Sequence, residues 1–264
     1  MKGSIVDISV VAINCAILGM WDYRAILVIL AGTMIHSGCD ILNDIFDFEI
    51  DKICKPNGAI ASGQMSMKKA WGYMALLFFA ALLISLKLSF ILFLCLLAGI
   101  IIGGVMYSHP MFRFKDIPGI AMLDMAVCFA LESIGLWNVY SPLTSDGLMV
   151  AAYVFVLIFS LTFMKDFKDV AGDINSLPLK LGIRRAAIVC SLLAVLPLIA
   201  LLYAATKYHY LFLAALIYVL LIAGCIQILL DDPVAKGNKL KDRMIMALTI
   251  PNFMVLLVKM LSIF

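Results

Sequence analysis

Two acid-rich segments hold the residues best suited to chemistry, NDIFDFEID (Asn43–Asp51) and KDFKDVAGD (Lys165–Asp173). The first puts acids at Asp44, Asp47 and Asp51, and the second repeats the same i, i+3, i+7 series at Asp166, Asp169 and Asp173. On a helix that spacing brings three carboxylates to one face. Asp40 extends the first stripe by a turn, and His36 lies one turn further in. Clustered carboxylates repel one another unless a cation sits between them. An oxygen-only donor set suits a hard cation, Mg²⁺ or Ca²⁺. No EF-hand loop pattern is present, so Mg²⁺ bridging substrate phosphates is the better reading. One such motif alone would be equally well read as a solvated helix end paired with lysines. Two of identical spacing on one side of the molecule argue against that.

The elements that carry these motifs must be membrane helices. Apolar residues make up 64% of the 264 and charged residues 14%, with a mean hydropathy of +1.09. So few charges cannot coat a soluble domain of this size. Runs near the spanning length of about 20 residues occur at 4–20, 25–46, 70–88, 90–107, 118–140, 147–164, 186–205, 209–230 and 244–262. The expected fold is therefore an all-α membrane protein, one domain over 1–264, with nine transmembrane helices in a single bundle around a central cavity. Spans one to four and five to eight form two pseudo-repeated halves, each with an acid-rich loop after its second helix. Sixteen of the twenty Lys and Arg residues fall in the even loops or at Lys2, leaving Arg24, Lys87, Lys207 and Lys259 on the other side. That bias predicts a cytoplasmic N-terminus with both acidic motifs on the cytoplasmic side. The seven cysteines lack metal-site or disulfide-framework spacing and read as small buried hydrophobes. Nothing suggests a nucleic-acid site or a tightly bound organic cofactor.

At the residue level the chain resembles the UbiA superfamily of intramembrane prenyltransferases. The resemblance rests on Asn43-Asp44-Ile-Phe-Asp47 through Asp51, its continuation to Lys55-Pro-Asn57 and Ile60-Ala-Ser-Gly63, and Lys165-Asp166-Phe-Lys-Asp169 through Gly172-Asp173. Tyr107-Ser-His-Pro-Met-Phe-Arg113-Phe-Lys115 between the motifs, and Leu177-Pro178 with Leu181-Gly182 after them, also fit. It implies Mg²⁺-dependent transfer of an isoprenyl group from its diphosphate to a lipophilic acceptor, within membrane lipid. The acceptor would be an aromatic quinone or chlorin precursor, or a geranylgeranylglyceryl phosphate. Carried onto this chain, Asp44, Asp47, Asp169 and Asp173 would hold the metal, with Asp40, Asp51 and Asp166 completing or supporting it. Arg113, Lys115 and Lys55 would hold phosphate, and Asn43 would orient an aspartate. Tyr107 could steady the developing cation with its ring face, or be an interfacial aromatic. The chain departs from the family pattern at Asp40 in place of Asn and Gly58 in place of Arg. It also has a short segment from Asp173 to Leu177 and no Arg near the start of its first span. Each change lowers the positive charge available for phosphate.

Asp124 and Glu132 are intramembrane acids, functional by default or else paired with a buried polar group. Glu132 could orient or deprotonate the acceptor. Asn14 and Asn252 read as interhelical hydrogen-bonding residues. Two other functions stay open at this point: a catalytically degenerate isoprenoid-binding relative, and a cation-coupled membrane transporter.

Overall fold

Capping residues and prolines set where the helices start. Asp22, Ser66, Ser89 and Thr144 each accept a bond from a first-turn amide of the helix that follows, and Pro118 opens another. The structure, a computed structural model, describes residues 2–168, 170 and 176–261. In chain order the first helices are α1 (Lys2–Leu18), α2 (Tyr23–Phe46), α3 (Phe48–Cys54), α4 (Met67–Leu88), α5 (Phe90–Gly99) and α6 (Pro118–Tyr140). Then follow α7 (Ser145–Thr162), α8 (Leu177–Leu181), α9 (Ile183–Leu193), α10 (Leu196–Ala205), α11 (Leu211–Leu230) and α12 (Gly237–Met260). After α5 the backbone widens into a π-helix over Ile100–Met106, and after α7 it tightens into a 3₁₀ helix over Phe163–Lys168. No strand occurs among the described residues.

Among the described residues seven helical segments are long and apolar enough to cross a membrane, while Ser4–Leu18 and Phe90–Met106 are apolar but shorter. Large apolar side chains such as Leu76, Phe79, Leu83, Leu216 and Leu220 point outward. Such an exterior suits hydrocarbon and not water, and the chain is an integral membrane protein. The expected span 186–205 is two helices, α9 and α10, interrupted at Ala194–Val195 just before Pro197. Proline has no amide hydrogen to continue the ladder. The expected span 244–262 starts earlier, at Gly237, because its polar first turns also pack as helix. A Cβ at Gly237 would fall 2.9 Å from the Lys168 amide nitrogen, so the missing side chain lets α12 start directly against the second acidic segment.

Buried polar contacts tie the helices together. Asn14 on α1 donates to Ser133 on α6 at 2.9 Å. Asn252 on α12 donates to Ser9 at 2.9 Å and accepts from the Tyr153 hydroxyl at 2.9 Å. These are the interhelical roles expected for both asparagines. At one end of the bundle the Tyr140 hydroxyl meets Asp22, Lys207 meets Asp146, and Tyr210 reaches the Ala16 carbonyl. The end of α2, the segment after the π-helix, the start of α6 and the 3₁₀ turn after α7 lie at the opposite end.

Candidate functional site

The regular helix stops within the first acidic motif. α2 ends at Phe46, Asp47 adopts φ −91° and ψ 5°, and α3 resumes at Phe48. The Asp47 amide still donates to the Asn43 carbonyl at 2.9 Å, and the Asp51 amide to the Asp47 carbonyl at 2.7 Å. Helical hydrogen-bond register therefore survives the break. Asp51 is buried and pairs with Lys55 at 3.2 Å. Burial works against the Lys55 charge, yet the Asp51 bond and the charges of Asp51, Asp44 and Asp47 hold its pKa above the ordinary lysine value. Asp44 is half-buried in the last turn of α2.

The segment after the π-helix brings basic groups onto these acids. Lys115 donates to Asn43 Oδ1 at 2.7 Å and to Asp47, and Ser108 donates to the same Asn43 oxygen at 3.3 Å. Among the described residues Asn43 thus serves the basic segment, and Lys115 links it to Asp47. The Arg113 guanidinium lies 3.6 Å from Asp47 Oδ1 and bonds Asp116 at 2.7 Å. The Asp116 bond comes first among the causes that raise the Arg113 pKa. Arg113 sits at φ 43°, ψ 51°, the one left-handed non-glycine residue among those described. Such a conformation costs about 1–2 kcal/mol and persists where surroundings impose it, often at functional sites. His109 anchors the segment by packing edge-on against Phe46 with ring centroids 5.1 Å apart.

In the second motif Asp166 is buried within the 3₁₀ turn. Asp169 and Asp173 lie outside the described residues. Its neighbour Lys165 lines a cavity of about 530 Å³ together with Asn43, Asp40 and Tyr107. The two motifs therefore address one space from the same end of the bundle. Deeper in that cavity are Asp124 and Glu132, with Asp7 and His36, which the motif reading did not single out as site residues. Asp7 could have been found as an acid inside the first apolar run. Lys165 and Lys241, also on the wall, carried no comparable signal, because lysines near helix ends are common.

Among the described residues, no three His, Cys, Asp or Glu side chains form a ready metal cage. Mg²⁺ does not require one, since it keeps waters and takes one or two carboxylates together with substrate phosphates. The donors available at the end of α2 are carboxylates, and Asp47 Oδ1 is buried without a hydrogen-bond partner. That chemistry fits Mg²⁺.

A family model described as the UbiA prenyltransferase family matches residues 10–249. The chain is 30% identical over 183 residues to the digeranylgeranylglyceryl phosphate synthase of Pyrococcus horikoshii, covering 65% of this chain and 63% of that protein. It is 30% identical over 189 residues to the chloroplastic 2-acyl-4-prenylphloroglucinol 6-prenyltransferase of Humulus lupulus, covering 65% and 45%. Both alignments span less than two thirds of the relative's length. A UbiA homologue from Archaeoglobus fulgidus, solved bound to GPP and Mg²⁺, has the same fold, with a TM-score of 0.70 at 15% identity over 99% of this chain and 96% of that one. With a family match along most of its length and residues of both acid-rich segments lining one cavity, the chain belongs to the UbiA prenyltransferase family.

Proposed function

We propose that this chain transfers an isoprenyl group from its diphosphate to a lipophilic acceptor, with Mg²⁺. The observation that carries the reading is the meeting of Lys115 and Arg113 with Asp47 beside Asn43, a residue that lines a largely apolar cavity. The names of both relatives and the GPP and Mg²⁺ in the Archaeoglobus fulgidus homologue support it. In this reading Asp44, Asp47, Asp169 and Asp173 hold Mg²⁺, and Asp40, Asp51 and Asp166 complete or support that set. When bound, Mg²⁺ supplies Lewis-acid neutralisation of the diphosphate charge.

The chain's own groups do the rest. Lys115 and Arg113 donate charge-assisted bonds to phosphate oxygens as the allylic C–O bond breaks, with Lys55 at the edge. Tyr107, on the cavity wall, turns its ring face to the carbon that becomes cationic. The apolar walls keep water from that carbon. Glu132 accepts a hydrogen bond from the acceptor, whose nucleophilic atom bonds to the isoprenyl carbon as the C–O bond to the diphosphate breaks and then gives up its proton to the Glu132 carboxylate. The whole chain acts as one domain of nine crossings in two related halves, with the N-terminus and both acidic motifs cytoplasmic.

The test is diphosphate release from geranylgeranyl diphosphate by the detergent-purified chain. Release is expected with Mg²⁺, lost in EDTA, and lowered at least about 100-fold in Asp44→Ala and Asp169→Ala. Mg²⁺-dependent donor binding without release would make the chain a binding-only relative. A cation-coupled transporter would show neither.

A further inference from the structure

The inner part of the cavity carries an acidic group of its own, separate from the two motifs. Asp7 on α1 faces His36 on α2, with Oδ1 3.8 Å from Nδ1, while its Oδ2 is buried without a hydrogen-bond partner. Glu132 on α6 is 5% exposed, and its Oε1 also lacks a partner. Gly32 makes room for it, since a Cβ there would stand 2.7 Å from that oxygen. A second, independent feature lies two turns earlier on α6. Asp124 is 4% exposed, lines the same cavity, and has no partner for either carboxylate oxygen. Gly32 lies twelve residues before Asp44, about 18 Å along the α2 axis at 1.5 Å per residue. Glu132 and Asp7, both beside Gly32, therefore sit far from the phosphate end, with Asp124 between them and that end.

Unpartnered buried acceptors of this kind are costly unless a ligand satisfies them. We infer that this inner chamber is a recognition site for an uncharged headgroup bearing several hydroxyls, a polyphenol or polyol, and that it rejects headgroups carrying a carboxylate or phosphate. Hydroxyls supply the donors that Asp7, Asp124 and Glu132 need. An anion would stand beside three carboxyl groups; of the basic side chains on the cavity wall, His36 faces Asp7, while Lys165 and Lys241 come from the segments at the phosphate end. The chamber's occupant being the acceptor rests on the transfer reading above; the chamber's preference does not.

The experiment measures binding to the detergent-purified full chain, without donor or Mg²⁺. The probes are an octyl-substituted resorcinol, the same ring with one added carboxylate, and the methyl ester of that carboxylate. The resorcinol and the ester are expected to bind at least about tenfold more tightly than the carboxylate. Glu132→Gln and Asp7→Asn, made separately, are expected to weaken resorcinol binding and to narrow that ratio. The ratio in the unmodified chain needs no variant to fold. Equal or tighter binding of the carboxylate, binding of none of the three, or a ratio untouched by both substitutions would overturn the inference. Mg²⁺-dependent binding of geranylgeranyl diphosphate, measured alongside, reports on the transfer reading itself. Chamber selectivity without donor binding would uphold this inference and sink that one.

Discussion

Lys115 and Asp47 meet across 68 residues of chain, each with a side chain only 12% exposed. The same ammonium holds Asn43, so one lysine fastens the segment before α6 to the end of α2. Replacing it by methionine leaves a largely buried carboxylate with, among the described residues, only the more distant Arg113. Lys115→Met is expected to lower stability by about 1–3 kcal/mol. If the ammonium also holds phosphate, donor affinity falls roughly 10–100-fold, while Lys115→Arg recovers most of the stability. Thermal unfolding and calorimetric titration with geranylgeranyl diphosphate separate the two effects. Unchanged donor affinity in Lys115→Met would remove Lys115 from the phosphate site.

Arg113 joins a functional side chain to an unfavourable backbone, and two substitutions pull these apart. Arg113→Ala and Arg113→Gly both delete the guanidinium, so both should weaken donor binding alike. Only alanine keeps a Cβ in the left-handed region at φ 43°. The glycine variant is therefore expected to be more stable than the alanine variant by about 1 kcal/mol. Equal melting temperatures would mean the segment relaxes once the side chain is gone.

Much of this was legible in the sequence because membrane helices and paired acidic motifs are patterns of composition and spacing. Most apolar runs matched their helices to within a few residues, the last and the broken 186–205 run excepted, and equal spacing singled out Asp44, Asp47 and Asp166 before any contact was known. Long-range pairing was not legible. Nothing local to Asn43 says that its partners are Ser108 and Lys115, 65 and 72 residues away. Asp7 was overlooked because one acid near the start of an apolar run looks like a solvated helix beginning. Its significance comes from His36 and Glu132, which the fold brings to it from two other helices. The break between α9 and α10 was signalled by Pro197 but masked by the strong apolarity on both sides.

The polar cluster of Ser9, Asn252 and Tyr153 is a structural counterpart to the site. Asn252→Leu would strip two interhelical hydrogen bonds and leave the Tyr153 hydroxyl buried without a partner. Contacts of this kind between membrane helices contribute on the order of 0.5–2 kcal/mol each. A loss of that size is expected in thermal unfolding, with Tyr153→Phe partly restoring the Asn252→Leu variant because the stranded hydroxyl is removed. No rescue by the double substitution would show that the cluster is not coupled as the geometry indicates.

At the far end of the bundle, Asp22 supplies a dependence on pH that is separate from the site. The Arg24 side chain bonds its carboxylate and, with the Arg24 amide and the Tyr140 hydroxyl, holds its pKa down to about 2 from an ordinary 3.8, against the opposing effect of desolvation. A carboxyl with a depressed folded pKa stabilises the fold fully above its unfolded value and ceases to do so as pH falls through the folded one. The contribution from Asp22 should therefore be intact above pH 3.8 and vanish as pH approaches 2. Unfolding temperatures measured over that range for the parent and for Asp22→Asn check this. The parent should lose more stability than the variant on acidification, because asparagine keeps a cap but has no proton to take up. Parallel curves would mean that the Arg24 and Tyr140 contacts to Asp22 do not persist in solution.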